Sequence, residues 1–74
     1  MEAFELTVGQ ETFKITRNTS DSNTFNVFNH TMFHVIQRNE NGKWKAVEHR
    51  FGADNLPLSE IIRAIEQRYN NSLV

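Results

Sequence analysis

The chain has 74 residues, eight Lys+Arg against nine Asp+Glu, a formal charge of −1, no cysteine and 38% hydrophobic residues, enough for one small domain with a single core. The missing cysteines exclude a disulfide framework and a thiolate metal site, and the slight negative charge gives no pull toward phosphate backbones or anionic lipid. No apolar run approaches the roughly 18 residues of a membrane span, and Met1 to Leu6 lack the basic start and apolar run of a signal peptide, so a cytoplasmic setting is expected.

Phe4, Leu6 and Val8 alternate with Glu5 and Thr7, Gly9-Gln10 intervenes, and Phe13 and Ile15 alternate with Thr12, Lys14 and Thr16. Period-two alternation on both sides of a two-residue, Gly-led turn predicts a hairpin of strands over about 3–8 and 11–17. Leu6 then faces Phe13 and Phe4 faces Ile15, which collects the large apolar side chains on one face. Arg17 to Asn23 contains no apolar residue and reads as a solvated connection.

β-Branched and aromatic density returns from Thr24, predicting strands over about 24–28 and 32–39; Asn39-Glu40-Asn41-Gly42 is the strongest turn signal, and a strand over about 43–51 follows. Two registers compete at this turn. A two-residue Asn41-Gly42 loop sets His34 against His49, whereas a three-residue Glu40-Asn41-Gly42 loop pairs Asn39 with Lys43, Val35 with Val47 and Phe33 with His49. The second is expected. Together with a three-residue turn at Asn29-His30-Thr31 it gathers Phe25, Val27, Phe33, Val35, Val47 and Phe51 on one face.

Leu58, Ile61, Ile62, Ile65 and Tyr69 then recur at helical spacing, predicting an amphipathic helix over about 57–70. Pro57 suits its first turn, Asp54 or Asn55 can accept from the free amides there, Glu60 and Arg68 complement the helix dipole, and Asn70-Asn71 can stop it. The expected fold class is α+β: a four- to five-stranded antiparallel β-meander with one C-terminal amphipathic helix packed on one face, two layers in a single domain over 1–74. Its expected core is Phe4, Leu6, Phe13, Ile15, Phe25, Val27, Phe33, Val35, Val47 and Phe51 against Leu58, Ile61, Ile62, Ile65 and Tyr69.

One helix covers one side of a sheet. The expected register turns Asn26, Phe28, Met32, His34, Ile36, Trp44, Ala46, Glu48 and Arg50 to the other side, which is too apolar for a solvated face. Phe28, Met32, His34, Ile36, Trp44 and Arg50 form the candidate interface, Trp44 and Arg50 being residue types that anchor protein contacts. The expected function is a non-enzymatic interaction or self-associating module, its partner a second copy in a homodimer or another protein. The alternative is single-stranded nucleic-acid binding by the same aromatic and arginine face. Phe28, Trp44, Arg38, Lys43, Lys45 and Arg50 supply the residue types; Lys45 is expected on the other side, and Glu40, Glu48 and the net charge weigh against it.

His34 faces Glu48 in the expected register, a pair in which a carboxylate could orient an imidazole for acid–base work. No Gly-flanked serine, phosphate-cradling loop or recognisable carboxylate pair accompanies it, so no catalytic residue is expected. Zinc would need a third protein ligand, and His30 has no evident reason to converge on the other histidines; neither a metal, a cofactor nor a small-molecule ligand is expected.

Overall fold

The computed structural model describes residues 3–52 and 56–69. Five strands come first: β1 (Ala3–Val8), β2 (Glu11–Arg17), β3 (Thr24–Asn29), β4 (Met32–Arg38) and β5 (Trp44–Gly52). They lie side by side in chain order, each antiparallel to the next, and helix α1 (Leu58–Tyr69) packs on one face. This is the α+β architecture that the alternation and the helical period imply, with all five strands in one sheet.

The first hairpin follows from one-sided alternation. Phe4 faces Ile15 and Leu6 faces Phe13, the register in which every large apolar side chain of the hairpin points toward α1. The connection to β3 is ordered by its own polar side chains. Asn18 Oδ1 accepts from the backbone N–H groups of Ser20 (2.7 Å) and Asp21 (3.0 Å), and Asp21 Oδ1 accepts from Asn23 N–H (3.0 Å).

The second hairpin departs from expectation. Asn29 pairs with Met32 across a two-residue turn, so Phe25 faces Ile36, Val27 faces His34 and Phe28 faces Phe33. The Asn29 side chain causes this. Its Oδ1 accepts from Thr31 N–H (2.9 Å), Thr31 Oγ1–H (2.7 Å) and Met32 N–H (3.1 Å), while Nδ2–H donates to the Thr12 carbonyl (3.1 Å). A side chain that satisfies the turn amides itself makes a third loop residue unnecessary. A one-residue slip exchanges the two faces of a strand, so Met32, His34 and Ile36 are buried toward α1 and Phe33 turns away from it.

At the third turn the three-residue loop is present: Asn39 N–H donates to the Lys43 carbonyl at 2.8 Å. Beyond it β5 slips twice against β4, leaving Val47 and Arg50 without a directly opposed residue. These bulges pair Val35 with Glu48 and Phe33 with Phe51, in place of Val47 and His49, and bring His34 opposite His49. Phe51, opposite the outward Phe33, and Val47 are not core residues; they are 49% and 43% exposed.

Ile61, Ile65 and Tyr69 form the buried stripe of α1, closing over Phe13, Ile15, Phe25, Val27, Met32 and Ile36, while Phe4, Leu6, Val8, Trp44, Leu56 and Leu58 pack at the margin. Arginines bind the helix end to the sheet, with the Arg17 guanidinium 4.6 Å from the Tyr69 ring centroid and that of Arg68 4.9 Å from Phe4. The expected caps at Asp54 or Asn55 and the stop at Asn70-Asn71 lie outside the described residues. Among the described residues no helix is long and apolar enough to cross a membrane.

Candidate functional site

The face opposite α1 is built from rows of directly opposed residues. One row runs through all five strands as Glu5, Lys14, Phe28, Phe33 and Phe51. Beside it lies a row of smaller groups, Ala3, Thr16, Asn26, Val35 and Glu48, in which Asn26 Nδ2–H donates to Thr16 Oγ1 at 3.0 Å. Thr24, Gln37 and Lys45 follow. Neighbouring strands are about 4.8 Å apart, so the aromatic part of the first row is a strip about 10 Å long.

The rings touch along that strip. Phe28 stacks on Phe33 at 5.2 Å and 16°, and Phe33 meets Phe51 at 6.4 Å and 40°. Arg50, displaced by its bulge, places its guanidinium 4.9 Å from the Phe33 centroid, and its Nε–H donates to Glu48 Oε2 at 2.7 Å. Both charged side chains are about half exposed, so the ion pair contributes at most about 1 kcal/mol; its effect is to hold the guanidinium flat over the ring. Acids and bases alternate at both ends of the strip, Glu5 beside Lys14 and Glu48 beside Arg50.

Of the six candidate interface residues, only Phe28 and Arg50 belong to this face. Met32, His34 and Ile36 are core residues under α1. Trp44 also lies on the helix side, 5.6 Å from the Phe25 ring, with its indole N–H donating to Glu66 Oε2 of α1 at 3.1 Å. The inferred outward indole is thus corrected. Arg38 shares Trp44's side of the sheet, and Lys45, opposite Gln37, shares the open one, the reverse of the side expected for it. On this face sequence reasoning missed Phe33 and Phe51, and the signal that could have found them was Asn29, two residues ahead of Thr31 in a position to close a tight turn.

The histidines take up other places. His34, 3% exposed, stacks on His49 with centroids 4.6 Å apart at 12°, and His49 Nε2–H donates to the Gly52 carbonyl at 2.8 Å. The expected His34–Glu48 pair is not formed, since Glu48 faces Val35 on the other side of the sheet. Among the described residues no three His, Cys, Asp or Glu side chains are grouped to hold a metal ion. A shallow depression at the turn end of the open face is lined by Glu5, Gln10, Glu11, Lys14, Phe28 and His30 among others. Its mixed charges favour no single ligand. No protein-family model, curated protein or solved structure matches the chain, so the reading of its surfaces rests on their own chemistry.

Proposed function

We propose that the chain is a non-enzymatic interaction module in a cytoplasmic setting that docks a second copy or another protein on the sheet face opposite α1. The observation that carries this reading is the continuous Phe28–Phe33–Phe51 strip, which lies on the face away from the helix with Arg50 seated on it. A phenylalanine buries about 200 Å² when fully covered. Covering the exposed half of Phe51 would therefore contribute up to about 2.5 kcal/mol at 25 cal/mol per Å². Aromatic rings with arginine are the residue types that anchor protein contacts.

Single-stranded nucleic acid is the second reading, because exposed rings can stack bases. Lys14, Lys45 and Arg50 are offset on the same face by Glu5 and Glu48, and the formal charge of −1 supplies no counterion-release gain at phosphates. The charge balance favours protein.

The test is nuclear magnetic resonance of the full chain from micromolar to millimolar concentration, then with a thymidine oligonucleotide at low salt. Concentration-dependent shifts at Phe28, Phe33, Arg50 and Phe51, weakened by Phe51→Ser, are expected. Trp44 lies on the opposite side and serves as a silent control. Shifts at these positions that ignore concentration refute self-docking, and saturation by the oligonucleotide alone would transfer the face to the nucleic-acid reading.

A further inference from the structure

The two edges of the sheet are defended unequally. β5, nine residues long, slips out of register twice and carries Lys45, Glu48, His49 and Arg50. Bulges and charges of this kind keep an edge strand from pairing with another chain. β1 is defended less. Its register is unbroken from Ala3↔Thr16 to Val8↔Glu11, and Glu5 is its one charged residue. Phe4, Leu6 and Val8 are only half-buried by their own chain, and among the described residues no strand lies beyond β1.

We infer that β1 is a self-pairing edge, joining two copies of the chain antiparallel across a two-fold axis through Leu6 and fusing their sheets into one. Gly9 (φ 65°) and Gln10 form the two-residue turn of the first hairpin. Residues flanking such a turn exchange both backbone hydrogen bonds, and bonded pairs alternate with non-bonded ones along the ladder. Val8, Leu6 and Phe4 therefore bond toward β2, leaving the N–H and C=O groups of Ala3, Glu5 and Thr7 aimed outward.

An antiparallel partner must keep the core-facing residues on one side, so even positions oppose even positions. Centring the axis on Glu5 would set like charges against each other, and centring it on Thr7 shortens the overlap. Centred on Leu6, Phe4 opposes Val8, Leu6 opposes Leu6, and Glu5 opposes Thr7 twice, each of these last pairs exchanging two backbone hydrogen bonds. The axis stands perpendicular to the sheet, so both helices lie on one side and both open faces on the other.

A six-residue strand is about 20 Å long, and the molecule's smallest extent is 21 Å. The flank offered by each copy is thus about 400 Å², about half of the 800 Å² per partner in a standard interface. An interface of this size belongs with weak, transient ones, so the dimer is weak. It uses a different surface from the aromatic strip and does not rest on that reading.

Equilibrium sedimentation of the full chain at low ionic strength tests the inference. Thr7 is exposed and opposes Glu5 of the second copy, so Thr7→Lys tightens the dimer and Thr7→Glu loosens it, the two dissociation constants differing by about ten-fold or more. A chain synthesised with an N-methylated Thr7 amide loses an outward donor while retaining its β1–β2 bonds; it is expected to give the monomer's circular dichroism and no dimer. A chain monomeric at millimolar concentration overturns the inference, as do equal dissociation constants for the two Thr7 variants. So does an association that Phe51→Ser abolishes and Thr7→Glu leaves intact, a result that would assign self-contact to the open face.

Discussion

Burial assigns very different energies to alanine substitutions in the middle strands. Val27 and Ile36 are fully buried, whereas Val47 is 43% exposed on a bulge. Val→Ala deletes two carbons at about 0.8 kcal/mol each, so with a cavity contribution Val27→Ala should cost about 2–3 kcal/mol. Val47→Ala, with little more than half of that surface buried, should cost less than about 1 kcal/mol. Ile36→Ala falls in the range of about 2–5 kcal/mol. A chain of 74 residues has a total stability of roughly 4–11 kcal/mol, so Ile36→Val, at about 0.5–1.5 kcal/mol, keeps the comparison measurable should the alanine variant unfold. Urea denaturation followed by far-ultraviolet circular dichroism gives each value, provided the slope with denaturant is unchanged. In the alternative register, with Val47 inward and Ile36 outward, Val47→Ala would match Val27→Ala and Ile36→Ala would cost under about 1 kcal/mol; that result would refute the assignment of faces.

Four further substitutions probe the turns, the end of β5 and the connection. Asn29→Ala strips an acceptor from the turn between β3 and β4 and is expected to lower the urea midpoint by the equivalent of about 1–3 kcal/mol, and an unchanged midpoint would show that the turn closes without it. Gly52 (φ 89°) has no room for a Cβ, which would collide with the Thr31 carbonyl and the Met32 backbone, while Gly9 (φ 65°) has open space around it; thermal melts should therefore show Gly9→Ala costing about 1–2 kcal/mol and Gly52→Ala distinctly more. Asp21 accepts from Asn23 N–H, Thr24 Oγ1–H and Gln37 Nε2–H, and the Asn23 backbone bond first, then Thr24, hold its carboxyl below the usual carboxylate range. A depressed folded value means that its contribution is present above the unfolded carboxylate range near pH 4 and is lost as pH falls through the folded value, so Asp21→Asn should lower the midpoint at neutral pH and flatten its dependence on acid.

The sequence revealed the fold more readily than the faces, and the physical reason differs between the two halves of the sheet. In the first hairpin Glu5, Thr7, Thr12 and Lys14 make one face polar, so only one register buries Phe4, Leu6, Phe13 and Ile15, and alternation alone is decisive. In α1 a single apolar stripe on a polar helix is equally decisive. Met32-Phe33-His34-Val35-Ile36 has bulky side chains in both parities, so the strand can be read from its residues but its inward face cannot. That choice passes to turn length, and turn length here depends on one amide, Asn29 Oδ1. The bulges of β5 have no marker in the sequence comparable to a glycine, and they are what set Phe51 opposite Phe33 and bring His49 over His34.

The same two-sided apolarity explains why an open hydrophobic face exists in either register. α1 has twelve residues and one stripe, and can cover one side only. With the expected turn it would leave Phe28, Met32, Ile36 and Trp44 outside; with the observed one it leaves Phe28, Phe33, Val47 and Phe51. The excess is set by the composition of β3, β4 and β5, and Asn29 with the two bulges decides which residues carry it. The observed arrangement places the indole where Glu66 can accept its N–H, so the side chain that needs a polar partner has one. The rings left outside are phenylalanines, which require no hydrogen bond and lose none when another surface covers them. Rings of this kind can be covered without themselves stranding a buried donor, a condition that a strip of Phe28, Met32, Ile36 and Trp44 would have met less well because of its indole N–H.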